Sequence, residues 1–302
     1  VGGTVSGTSP ICFNSSVTLT LSGQTGTVQR WERRLLPSAT WTNVANTTTS
    51  YTYTPPSVGT WEFRALVQSG SCSSAYSSVR SIQVDPTSVG GTTSGGNSPI
   101  CINTPTGDIT LSGHTGNVVR WQWRRNSGTW NNIANTTTTL NYTPTNSGTY
   151  DFRAEVRSGS CPSVYSTLTT ITVNPASVGG SVTGGTTPIC LGSATGVMTL
   201  SSYTGVVTRW QRRLNAGAWN DISNTTATYN DTPPSAGTWE YRAEVQSGVC
   251  PPAFSSARTI VVIPPSVGGT ITGGTTPLCP GVNTGTMTLS GYTGAIVRWE
   301  KR

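Results

Sequence analysis

Lysine is nearly missing from this chain. Of 18 basic residues in 302, only Lys301 is lysine and the others are arginine. An internal Lys–Asn isopeptide staple is thereby excluded over residues 1–300. Histidine occurs once, as His114, so no Ser-His-Asp set can recur along the chain. No Cys-x-x-Cys pair is present either, which argues against structural zinc and redox motifs alike. Charged residues make up 10% of the chain. The carboxylates Glu32, Glu62, Asp151, Glu155, Asp221, Glu240 and Glu244 are scattered through apparent strands or stand beside arginine. Glycoside hydrolysis needs two poised carboxyls facing each other across a cleft, and nothing in the pattern suggests one. Calcium loops of the D-x-D-x-D-G type are absent. No apolar run approaches the 18 residues of a membrane span. These absences lead us to expect no enzyme, no catalytic residue, no cofactor, no metal and no membrane-spanning segment. The net charge of +7 comes from arginines spread evenly along the chain, so nucleic acid is not an expected partner.

Glycine, threonine, serine and proline are abundant. Short alternating runs such as "VTLTLSG" and "ITVNP" lie between Gly/Pro punctuation, and no stretch has helical periodicity. This pattern is all-β. The runs also repeat. Val1, Val89, Val178 and Val267 each open a Val-Gly-Gly segment. Pro-Ile/Leu-Cys recurs at Cys12, Cys101, Cys190 and Cys279, and Arg-Trp at Trp31, Trp121, Trp210 and Trp299. A second cysteine closes each unit at Cys72, Cys161 and Cys250. Repeats of this length are whole domains. The expected units are 1–87, 88–176 and 177–265, with 266–302 as a partial fourth. On this reading the chain is a window on a longer repetitive protein, and Cys279 pairs beyond residue 302. The joins "VDPTSVGG", "VNPASVGG" and "VIPPSVGG" are short and contain proline, so semi-rigid connections and an extended rod are expected.

One unit lays out as seven short strands: "GTVSG", "VTLTLSG", "VQRWERR", "WTNVAN", "SYTYTP", "GTWEFRALVQSG" and "VRSIQV". Seven strands with turns every 8–12 residues suggest a two-sheet sandwich. "LTLSG" at 19–23, Trp31 and "GTWEFRA" at 60–66 resemble the immunoglobulin fold, and the resemblance covers each full unit. In that fold two cysteines flank the core tryptophan. Here those positions are Leu21 and Phe63 around Trp31, Leu111 and Phe152 around Trp121, and Leu200 and Tyr241 around Trp210. An apolar pair therefore stands where the usual disulfide would be. The actual cysteines are 60 residues apart in every unit, which leads us to expect one bond per domain: Cys12–Cys72, Cys101–Cys161 and Cys190–Cys250. Closing such a loop contributes about 4 kcal/mol in a chain-entropy treatment. It also points to an oxidising compartment, extracellular or periplasmic.

On the strand carrying Trp31, residues Arg30, Glu32 and Arg34 should point outward. Glu62 and Arg64 should do so on the neighbouring strand, giving cross-strand ion pairs. Trp41, Trp130 and Trp219 could stack on sugars, although covering the sandwich edge is the better expectation. Asn46, Asn135 and Asn224 each begin an Asn-Thr-Thr segment and are candidate glycosylation sites. The opening pattern, with Gly-Gly, Pro-Ile-Cys and "LTLSGxTGxVxRW", resembles repeats of very large cell-surface adhesins of Bacteroidota, exported by the type IX route and including gliding-type adhesins. The resemblance implies a non-catalytic, extracellular stalk whose partners are the neighbouring repeats of the same chain, with surface glycans or other chains of a filament as further candidate partners. Two rival readings are a carbohydrate- or protein-ligand-binding module and a self-assembling fibre subunit.

Overall fold

A computed structural model describes all 302 residues. The first repeat holds nine strands: β1 (Thr4–Ser6), β2 (Ile11–Cys12), β3 (Val17–Ser22), β4 (Thr27–Leu35), β5 (Thr42–Val44), β6 (Ser50–Tyr53), β7 (Gly59–Gln68), β8 (Ala75–Tyr76) and β9 (Arg80–Asp85). One sheet runs β1-β3-β6. The other runs β2-β9-β7-β4-β5, with β8 also paired to β7. Every pairing is antiparallel except β2 with β9. The second and third repeats reproduce both sheets in the same order. The architecture is therefore all-β, three sandwiches in tandem. The seven sequence-predicted strands are all present, and β2 and β8 are additional.

The core follows from period-2 alternation. Val17, Leu19 and Leu21 of β3 are buried while the intervening residues are exposed. On β7, Trp61, Phe63, Ala65 and Val67 are buried, with Glu62 and Arg64 half-buried between the first three and Leu66 also buried. On β4, Val28 and Trp31 are both buried although three positions apart, a spacing that a regular strand would send to opposite faces. A register shift between Val28 and Arg30 resolves this, because a bulge adds one residue and restores the inward phase. The same shift occurs before Trp121 and before Trp210. Leu21, Trp31 and Phe63 share one core cluster, as do Leu111, Trp121 and Phe152, and Leu200, Trp210 and Tyr241. The three tryptophans are fully buried. Each indole N–H donates at 2.9 Å to a backbone carbonyl, of Thr48, Thr137 or Thr226. The buried polar edge of each ring is thus satisfied.

The chain divides into two compact units, Val1–Val173 and Asn174–Arg302. The first holds two sandwiches. In the second, the third sandwich is followed by one strand pair, Thr270–Gly273 with Met287–Ser290. Trp299 there is 54% exposed, whereas its equivalent Trp31 is 0% exposed.

Candidate functional site: the joint between repeats and the arginine-stacked face

The strand β2 decides where the first cysteine lies. Because β2 runs parallel to β9, with Cys12 opposite Asp85, Cys12 sits where β9 ends. Cys72 follows β7, which is antiparallel to β9, so it sits toward the pole where β9 begins. The length of β9 separates these poles, roughly 20 Å for six residues at strand rise. A disulfide needs Cα atoms within about 7 Å, so Cys12 and Cys72 cannot be joined in one sandwich. Cys12 instead bonds Cys161 of the next repeat, with Cα atoms 4.7 Å apart and a sequence separation of 149.

The expected intra-repeat pairs are therefore corrected. Cys72 and Cys190 are free and exposed, which removes Cys12–Cys72 and Cys190–Cys250. Cys161 is already taken, which removes Cys101–Cys161. Cys101 and Cys250 are each disulfide-bonded as well. They stand at the same 149-residue separation in sequence. Two disulfides thus serve three repeats, rather than one per domain.

Around the Cys12–Cys161 bond the joint is tightly built. The backbone N–H of Ser160 donates at 2.8 Å to the Asp85 carboxylate, and its hydroxyl donates at 3.0 Å to the same oxygen. Gly159 lies so close that a Cβ there would fall 2.1 Å from Asp85 Oδ2, and its φ is +48°. Only glycine meets both conditions without strain. Cys161 is 1% exposed, with its sulfur 3.2 Å from the Pro86 carbonyl oxygen. The linker is held as well. Ser158 N–H donates to Ser88 Oγ at 2.9 Å, and Val89 exchanges backbone hydrogen bonds with Thr115. The Pro86–Val89 join is therefore pinned to the second sandwich along its length. The Asn174–Arg302 unit shows the same local arrangement. Cys250 is fully buried, 3.1 Å from the Pro175 carbonyl oxygen, and Ser247 N–H donates to Ser177 Oγ at 2.9 Å. Val178 and Thr204 again bond each other.

The outer face of the larger sheet carries the predicted charges. Arg34 pairs with Glu62 at 2.6 Å and Arg64 with Glu32 at 2.7 Å, both across β4 and β7. Arg30 also reaches Glu32, at 2.7 Å. Burial would raise the Glu32 carboxyl, but hydrogen bonds from Arg64 and Arg30 outweigh it and hold the group below its ordinary value. In the second repeat Gln122 takes the place of Glu32, and the acid moves to Glu155, where the first repeat has Leu66. The Ser163 hydroxyl does most to lower the Glu155 carboxyl. Burial opposes this, and Arg120 adds to the lowering. The third repeat places Gln211 and Glu244 at the same two positions, with Arg209 paired to Glu244.

Trp41, Trp130 and Trp219 lie on this face beneath arginines. The guanidinium carbons of Arg34 and Arg64 are 4.6 and 4.1 Å from the centroid of Trp41, and Arg64 also lies 3.8 Å from that of Tyr76. Arg124, Trp130, Arg153 and Tyr165 repeat the stack, as do Arg213, Trp219, Arg242 and Phe254. Cation–π contact occupies the ring surface that a sugar would need.

Asn46 shapes the loop behind Trp31. Its carbonyl accepts the Thr48 backbone N–H at 2.8 Å, and its amide donates to the Ser50 carbonyl at 3.1 Å. Asn135 and Asn224 make the equivalent bonds. The Asn-Thr-Thr motif thus has a structural use, as an Asx-type turn that presents the carbonyl capping the tryptophan.

Sequence reasoning missed Asp85, the Ser158–Cys161 turn and the role of β2. The available signal was the identical tetrapeptide Ser-Gly-Ser-Cys at 69–72 and 158–161, which marks one structural element in two places.

A family model described as "Domain of unknown function (DUF8696)" matches residues 1–86, 89–175 and 178–264. No curated protein matches the chain. Among solved structures, the crystal structure of chicken CNTN1 FN1-FN3 domains matches at 11% identity with a TM-score of 0.30, covering 86% of this chain and 97% of that one.

Proposed function

We propose, for a chain that belongs to the family described as Domain of unknown function (DUF8696) through three tandem copies, a mechanical role: a non-catalytic, load-bearing repeat segment of a bacterial cell-surface adhesin. The observation that carries this reading is the Cys12–Cys161 bond. It joins consecutive repeats, not the two halves of one sandwich. Tension entering at residue 1 passes through the disulfide to residue 161. This covalent route bypasses the chain between the two cysteines, and it persists even if both sandwiches lose their hydrogen bonds.

Several further features fit. The join is pinned by Ser88 and Val89 and has no slack tract. Disulfides form and persist in oxidising surroundings, in keeping with an extracellular location. The sequence pattern resembles type IX-exported surface proteins of Bacteroidota, whose stalks need length and stiffness. The sugar-binding alternative is disfavoured by the arginines over Trp41, Trp130 and Trp219.

Force spectroscopy on the 302-residue chain tests the role. Under oxidising conditions, pulling from the termini should yield a short total extension. Adding reductant should release at least about 500 Å more contour, the length of the 149-residue loop at ~3.3–3.6 Å per residue, because the second disulfide is reduced as well. Equal contour lengths with and without reductant would overturn the reading.

A further inference from the structure

The first repeat carries a turn of the same sequence and backbone shape as the one at the joint. Ser69-Gly70-Ser71-Cys72 is identical in sequence to Ser158-Gly159-Ser160-Cys161. The turn is also formed in the same way. Cys72 N–H donates to the Ser69 carbonyl at 3.0 Å, as Cys161 N–H donates to Ser158 at 2.8 Å. Gly70 has φ +56° and Gly159 has φ +48°. The surroundings differ completely. A Cβ on Gly159 would strike Asp85, whereas one on Gly70 would meet nothing within 4 Å. Ser158 and Cys161 are buried, whereas Ser69 and Cys72 are exposed. Gly248, in the equivalent turn of the third repeat, again lies against the last residue of the preceding repeat's final strand, Asn174.

We propose that the Ser69–Cys72 turn is a preformed docking and disulfide-exchange site for the trailing pole of another copy of this repeat. The incoming copy supplies the cysteine of its Pro-Ile/Leu-Cys motif to Cys72 and the end of its last strand to Gly70 and Ser71. This proposal deepens the load-bearing reading by naming the partner, and it rests on that reading only for its biological purpose.

The turn also specifies the partner's chemistry. Ser160 offers a backbone N–H and a hydroxyl, and Asp85 accepts both. Val249, at the equivalent place in the third repeat, has no hydroxyl, and the residue facing its turn is the neutral Asn174. Ser71 restores the hydroxyl, so it selects a copy ending in an acid, as the first repeat itself does at Asp85. The bond forms by oxidation of two thiols to a disulfide. Two protons and two electrons pass to an oxidised glutathione supplied as co-reactant, which leaves as two reduced molecules.

The test adds a second copy of residues 1–88 ahead of Val1, so that its Ser88 meets Val1 as Ser88 meets Val89 in the natural join. The extended chain is equilibrated in a glutathione redox buffer, alkylated and mapped without reduction. Cys72 should be blocked from alkylation and linked to Cys12 of the added copy. In the unextended chain it should be alkylated in full. Cys72 still alkylated in the extended chain, or linked to any other cysteine, overturns the proposal. A second measurement does not depend on the added copy folding. In the unextended chain, Asp85→Ala should speed reduction of Cys12–Cys161 by dithiothreitol several-fold, because the turn loses its acceptor. An unchanged rate overturns the selection of an acid. The force-dependent role fails separately, through the contour-length measurement.

Discussion

Two turns of identical sequence have opposite fates in this molecule. Ser158–Cys161 is buried against the repeat before it and covalently joined to it. Ser69–Cys72 has the same backbone shape and lies open. The difference comes from the neighbour and not from the turn. Local sequence builds the turn through Gly70 or Gly159 in the left-handed region. Whether its cysteine is a half-cystine depends on a residue 149 positions away. A repeat of this kind is therefore a unit with two dissimilar ends, one presenting Cys12 and Asp85, the other presenting a serine-glycine turn with a thiol. Stacking the units in order makes the joint.

The largest effect expected from breaking this comparison comes from the covalent bond. Replacing Cys12 and Cys161 together by serine should cost the first two repeats up to about 5 kcal/mol, the chain-entropy value for so long a loop. Cys72→Ser should leave urea denaturation midpoints unchanged. If Cys72→Ser also shifts the midpoint, the first turn is not idle.

Next comes the glycine. Gly159→Ala forces a Cβ into the Asp85 carboxylate and also strains a positive φ. It should cost about 2–4 kcal/mol, against about 1–2 for Gly70→Ala, which bears the backbone strain alone. Equal losses in chemical denaturation would mean that the contact with Asp85 contributes nothing.

The smallest effect belongs to the sheet face, where the first two repeats also differ. The second repeat keeps its acid at Glu155 and the first at Glu32, and both are held below their ordinary value. A depressed carboxyl contributes stability that is present above its unfolded pKa and lost as the pH falls through the folded one. Acid should therefore weaken both repeats at a pH below the ordinary glutamate range. Glu155→Gln should remove that dependence from the second repeat only, a change of about 1 kcal/mol or less. Thermal melts from pH 7 down to pH 2 would show it as a smaller acid-induced drop. A variant with an unchanged profile would mean that Glu155 is not linked to folding.

The strands and core were legible because each rests on a local pattern. Leu19, Leu21, Phe63 and Ala65 alternate with polar residues, and burial needs only that alternation. The outward charges of β4 and β7 followed from the same phase. The strands β2 and β8 were not legible, because two residues cannot show a period. That gap led to the wrong disulfides. The constant 60-residue spacing looked diagnostic, but in an array of near-constant period the 149-residue spacing is equally constant. Spacing cannot choose between a bond within a repeat and one across the joint. Only the placement of β2 beside the end of β9 puts Cys12 at the pole that faces the next repeat. The tryptophans Trp41, Trp130 and Trp219 were visible as surface candidates, but their arginine cover was not, since it depends on side chains brought together from β4 and β7.

The measurement that bears most directly on the joint is non-reducing peptide mapping of the 302-residue chain after alkylation of its free thiols. The expected result is a cross-linked species joining the Cys12 and Cys161 peptides, with Cys101 and Cys250 also recovered only in cross-linked form and Cys72, Cys190 and Cys279 recovered alkylated. A Cys12–Cys72 cross-link, with Cys161 bonded elsewhere, would contradict it.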